Sequence, residues 1–157
     1  MERHPVILSI AGSDCSGGAG IQADIKTISA LGGYAASAIT AITAQNTLGV
    51  TAVQDISPDI VAAQIDAVFD DIRPSAVKIG MVSSAPLIET IAERLRFYKA
   101  EHIVVDPVMV ATSGAKLLRD DAVTALCEKL LPLAEVKHSG QRAGDVRLCA
   151  LHRRVKV

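Results

Sequence analysis

The run Ala11-Gly12-Ser13-Asp14-Cys15-Ser16-Gly17-Gly18-Ala19-Gly20 most constrains what this chain can fold into. It follows a short apolar run, Val6 to Ile10, and leads straight into a helical pattern with Ile21, Ile25 and Ile28 on one face. Small residues between a buried strand and a helix N-terminus let backbone N–H groups approach a ligand closely. The helix dipole favours negative charge or polar acceptors there. The plain alternative is a glycine turn that only links strand to helix.

Two glycine-loop motifs can be tested. Gly12 and Gly17 have the separation of a Walker loop, but Gly18-Ala19 follows where Lys-Ser/Thr is required. Gly18-Ala19-Gly20-Ile21-Gln22-Ala23 has the spacing of the dinucleotide fingerprint. That motif also needs an acid about 20 positions on to hold a ribose, and the next strand candidate ends instead in Ala44-Gln45-Asn46-Thr47.

The chain's 157 residues fit one domain or a piece of one, and half of them are hydrophobic, enough for a sizeable core. A net charge of −1 leaves no electrostatic footprint for nucleic acid, and 3% aromatics without Trp leave no stacking platform. No apolar stretch is long enough to span a membrane, so a cytoplasmic protein without membrane or nucleic-acid partners is expected. Cys15, Cys127 and Cys149 form no C-x-x-C pair and the four histidines are scattered, so neither zinc nor a disulfide framework is indicated.

Apolar strand-like runs at Val6–Ala11, Ala35–Thr43, Ala76–Met81 and His102–Val108 alternate with helical patterns at Gly20–Leu31, Pro58–Phe69, Leu87–Tyr98 and Asp121–Leu131. Gly49–Ile56 is a candidate for one more short strand. Ser57-Pro58-Asp59 reads as a helix start, with a Ser cap, Pro at the first position and an acid in the first turn; Ser84 and Asp120 give weaker signals. Nearly continuous apolar strands joined through helices predict an α/β fold with a mostly parallel sheet covered on both faces. Ligands bind beyond the carboxyl ends of such strands.

The residues at those ends are the glycine loop, Gln45-Asn46, Gly80-Met81 and Asp106-Pro107-Val108-Met109. Gln45 offers an acceptor and two donors in one plane, which suits a heterocycle bearing an amino group and ring nitrogens, with Met81 and Val108 as apolar walls. Each has a bland reading too: Met81 as core, Gln45 as a loop tie, Asp106 as a turn cap. Convergence on one rim favours a site.

The segments Ala11-Gly12-Ser13-Asp14 through Gly17-Gly18-Ala19-Gly20-Ile21-Gln22-Ala23-Asp24-Ile25-Lys26-Thr27, Gln45-Asn46-Thr47, Lys78-Ile79-Gly80-Met81 and Asp106-Pro107-Val108-Met109 with Ser113-Gly114 strongly resemble the hydroxymethylpyrimidine/phosphomethylpyrimidine kinases. These are thiamine-biosynthesis enzymes of the ribokinase-like superfamily, and the resemblance covers residues 5 to about 136. Pyridoxal kinases share the Asp-Pro-Val-Met turn but resemble the glycine loop and the Gln-Asn pair far less. The resemblance implies a three-layer α/β/α fold and two ATP-dependent phosphorylations, of a pyrimidine hydroxymethyl group and then of the monophosphate. It implies that Gln45 reads the pyrimidine edge, that Asp24 and the Gly12 backbone add polar contacts, and that Ala19, Met81 and Val108 sandwich the ring. Asp106 is placed nearer the phosphates and Mg2+, no protein metal site is implied, and the full-length family implies a homo-oligomer.

Residues 1–136 thus read as the N-terminal part of a kinase domain, and 137–157 as an aberrant tail. The family continues with a Thr-Pro-Asn segment and, later, a Gly-Thr-Gly-Cys turn that forms the anion hole and supplies the proposed base. Neither is found in this chain, so no catalytic residue is assigned. Six of the chain's 16 basic residues fall in Lys137–Val157, against the single acid Asp145. A nucleic-acid-binding tail is one reading. A shifted reading frame is preferred, because a one-base shift of His138-Ser139, Gln141-Arg142 and Ala143-Gly144-Asp145 can restore Thr-Pro, Asn and Pro-Glu. On that account the chain is truncated, exposes a sheet edge, associates and lacks kinase activity alone. The alternatives are a kinase acting on a vitamin B6 alcohol and a non-catalytic remnant that at most binds a heterocycle.

Overall fold

The computed structural model describes residues 4–106 and 120–137. Strand β1 (Val6–Asp14) feeds helix α1 (Gly20–Ala30), which returns to β2 (Tyr34–Asn46), and a hairpin leads to β3 (Gly49–Asp55). Helix α2 (Pro58–Asp71), β4 (Ala76–Ile79), α3 (Ala85–Phe97) and β5 (Ile103–Val105) follow. Helix α4 (Asp120–Ala125) runs on through a wider π-type turn, Leu126–Leu130, and a tight turn, Leu131–Leu133, into β6 (Val136–Lys137). The sheet order is β3-β2-β1-β4-β5-β6, with every pair parallel except the β2–β3 hairpin. The α/β class, the central parallel sheet and the helices on both faces are as expected.

Side chains alternate across the sheet and divide it into two unlike faces. On one face Leu8 and Ile10 of β1, Val77 and Ile79 of β4, and Ile103 and Val105 of β5 join Val61 and Ile65 of α2 and Ile88, Ile91 and Leu95 of α3 in one buried cluster. Leu126 and Leu130 after α4 complete it. On the other face, under α1, lie Ser9, Ala11, Lys78 and Gly80. Of the expected apolar stripe of α1 only Ile21 is buried; Ile25 is 37% exposed. This helix lies over β1 and β2, where the small or polar Ser9, Ala11 and Ser37 share the face with Ile7.

Two further differences are local. Ser57 and Ser84 hold the cap positions of α2 and α3, but neither side chain makes a cap bond. The Ser57 carbonyl instead accepts from the Ile60 and Val61 N–H groups, both at 3.1 Å. Pro58 sits where a missing N–H costs nothing. Lys137, counted above with the tail, pairs with Val105 as the second residue of β6. Residues 138–157 lie outside the described residues.

Candidate ligand site at the strand ends

The glycine loop is organised by one carboxylate. Asp14, at the end of β1 and 3% exposed, takes the Ser16 N–H and hydroxyl on Oδ1, both at 2.8 Å. Its Oδ2 takes the Gly18 N–H at 3.0 Å and the Ala19 N–H at 2.8 Å. Burial alone would raise its pKa, but the Ser16 hydroxyl and the Ser16, Ala19 and Gly18 N–H groups outweigh it and hold the carboxyl below its usual 3.8. This corrects the loop reading: those N–H groups face an internal acid instead of a ligand. The sequence carried a signal for it, an Asp with Ser two residues on and small residues after, the pattern of an Asx-type turn.

Helix α1 clamps the same loop. Gln22 Nε2 donates to Ser13 Oγ at 2.7 Å and its Oε1 accepts the Asp14 N–H at 2.8 Å, while Lys26 Nζ donates to the Gly17 carbonyl at 2.8 Å. Gly20 has φ +56°, and a Cβ there would lie 2.2 Å from the Gly12 carbonyl oxygen. No other residue fits that close approach.

Four of the expected residues converge on this end of the sheet. Gly12 sits at a register irregularity between Ala11 and Ser13, and a Cβ on it would stand 3.4 Å from Met81 Sδ. The Met81 carbonyl is held by the Thr40 hydroxyl at 2.8 Å. Ala19 is the cap residue of α1. Gln45, near the end of β2, is clasped to the loop: the Cys15 thiol donates to the Gln45 carbonyl at 3.1 Å and its sulfur accepts the Gln45 N–H at 3.3 Å. Gln45 Oε1 lies 3.3 Å from the Thr43 hydroxyl, whose single proton has a nearer acceptor, the Ser13 carbonyl at 2.8 Å. The Gln45 amide therefore keeps capacity for a ligand.

Asp24 stands deeper, on the α1 face of the sheet. Its Oδ2 takes the Ser9 hydroxyl at 2.5 Å and the Lys78 ammonium at 2.8 Å. Asp106 follows β5, half-buried, and its N–H donates to the Ile79 carbonyl at 2.8 Å. Val108 lies outside the described residues. Sequence reasoning missed Asp14 as loop organiser, Gln22 and Cys15 as clamps, and Lys78 as the partner of Asp24.

The fit to nucleotide phosphates and Mg2+ is poor here. The loop N–H groups are committed to Asp14, and among the described residues no group of three His, Cys, Asp or Glu is placed to hold a metal ion. Among the described residues, no helix is long and apolar enough to cross a membrane.

Residues 14–137 match the phosphomethylpyrimidine kinase family model. The chain belongs to this family. A hydroxymethylpyrimidine/phosphomethylpyrimidine kinase of Rhizobium meliloti is 67% identical over 131 residues, 83% of this chain and 49% of that protein. The chain thus spans about half the length of the curated relatives it matches. A crystal structure of a Clostridium difficile phosphomethylpyrimidine kinase superposes with a TM-score of 0.80 at 48% identity, covering 94% of this chain and 69% of that one. An ADP complex of Bacillus subtilis pyridoxal kinase matches at 33% identity and a TM-score of 0.78, covering 94% of this chain and 61% of that one.

Proposed function

We propose that this chain forms the pyrimidine-recognising part of an ATP-dependent kinase acting on 4-amino-5-hydroxymethyl-2-methylpyrimidine and then on its monophosphate. The observation that carries this reading is the convergence of Gly12, Ala19, Gln45 and Met81 on one rim, tied together by the Cys15–Gln45 clasp. A planar neutral heterocycle needs apolar faces and a few fixed edge contacts. Ala19 and Met81 supply the faces, and the Gln45 amide and Asp24 supply the edges. ATP is the phosphoryl donor that the family implies, and the glycine loop, whose N–H groups are taken by Asp14, is not its phosphate seat. No described residue is assigned as the catalytic base. The chain's similarity to a pyridoxal kinase makes a vitamin B6 alcohol the second ligand to test.

Calorimetry on the chain with the pyrimidine and with pyridoxine tests this directly. The pyrimidine is expected to bind more tightly, and Gln45→Ala to weaken it by about 1–3 kcal/mol by leaving ligand groups unpaired. A folded chain that binds neither alcohol, or an unchanged affinity in Gln45→Ala, overturns the assignment.

A further inference from the structure

The pyrimidine reading leaves one charged group without a role. Lys78 Nζ is 2.8 Å from Asp24 Oδ2, with 27% and 18% side-chain exposure. The Ser9 hydroxyl meets the same oxygen. Ser9 is fully buried and lies opposite Lys78 in the β1–β4 register, so two neighbouring strands bring a hydroxyl and an ammonium to one carboxylate oxygen. Asp24 Oδ1 takes no hydrogen bond from the described residues and is not among the atoms sealed from solvent. A carboxylate anchored through one oxygen and open at the other is a fixed acceptor.

Gly80 explains how the lysine arrives there. Residues 78 and 80 point to the same face of the strand. A Cβ at position 80 would lie 2.9 Å from Lys78 Nζ and 3.0 Å from Ala11 Cβ. The lysine stem therefore runs toward the carboxyl end of β4 across the bare Cα of Gly80. A side chain there would crowd the ammonium and force it to shift from its seat on Asp24.

We propose that Lys78 is a positioning residue, seated by Gly80 and seconded by Ser9, which fixes Asp24 as the acceptor for the exocyclic amino group of the pyrimidine. This rests on the assignment of Asp24 to the ligand. Its consequence is selectivity. A salt-bridged carboxylate accepts but cannot donate, so it receives an amino group and opposes an oxo group at the same ring position.

The test is calorimetry on the 157-residue chain with the aminopyrimidine and its 4-oxo analogue, for wild type, Lys78→Met, Lys78→Arg and Gly80→Ala, each checked by thermal melting. Wild type is expected to prefer the amino ligand at least tenfold. Lys78→Met and Gly80→Ala should each cut that preference fivefold or more, and Lys78→Arg should restore part of it. A general loss of fold would weaken both ligands alike and leave their ratio unmoved. Should Lys78→Met not fold, Gly80→Ala decides, since it keeps the charge and moves it. A folded Lys78→Met or Gly80→Ala chain that keeps the full preference overturns the role of Lys78 and leaves the pyrimidine reading standing. A wild type that binds neither ligand overturns both.

Discussion

The two faces of the sheet are made from alternate residues of the same strands, yet they are different materials. Toward α2 and α3, Leu8, Ile10, Val77 and Ile79 meet Ile65, Ile88 and Ile91 in a continuous apolar layer. Toward α1, the intervening positions are Ser9, Ala11, Lys78 and Gly80, tied by hydrogen bonds and one ion pair. Close apolar packing tolerates no voids and makes no ligand contacts, so the first face serves stability. The second gives up burial for small residues and placed polar groups, which a ligand rim needs. One strand can thus hold the molecule together and shape its chemistry, because its period is two.

Mutations should separate the faces, beginning with the apolar one. Ile91→Ala removes a fully buried side chain and is expected to cost about 2–5 kcal/mol in chemical denaturation. It should leave pyrimidine affinity in the surviving folded fraction unchanged; a specific loss of affinity would show that the faces are not independent. Gly20→Ala reverses the pattern. The left-handed backbone alone costs about 1–3 kcal/mol, and the clash with the Gly12 carbonyl must displace the rim. Pyrimidine binding should fall by more than stability does, and intact binding would remove the β1–α1 junction from the site.

The smallest effect concerns acid. The folded-state pKa of Asp14 lies below its usual 3.8, so its contribution to stability is complete at neutral pH. That contribution is lost as pH falls from about 4 through the lower folded value. Denaturation midpoints measured between pH 5 and pH 2 should therefore drop in wild type and drop less steeply in Asp14→Asn. Parallel slopes would mean that the loop N–H groups do not bias this carboxylate.

The long elements were legible because their periodicity was clear. The runs at Val6 and Ala76 and the helices opening at Gly20 and Pro58 appear at the expected places. β6 was not legible, since two exposed residues carry no pattern and pair only because β5 lies alongside. At the rim, Gly12, Gln45 and Met81 stand at strand ends that the sequence marks. The links among them do not show in sequence. Lys78 and Asp24 are 54 residues apart, Cys15 and Gln45 are 30 apart, and only the strand order makes them neighbours. Asp14 was visible as a residue but not as an acceptor, because its role depends on how the loop closes around it.

That closure carries a consequence for the order of events at the rim. A loop whose amides already surround an internal acid has no vacancy for a second anion. A neutral ring can rest there before it carries a phosphate. It can keep the same seat afterwards only if the new phosphate projects away from the loop. On the proposed function, one seat then serves both a bare alcohol and its monophosphate, with direction rather than affinity telling the two apart.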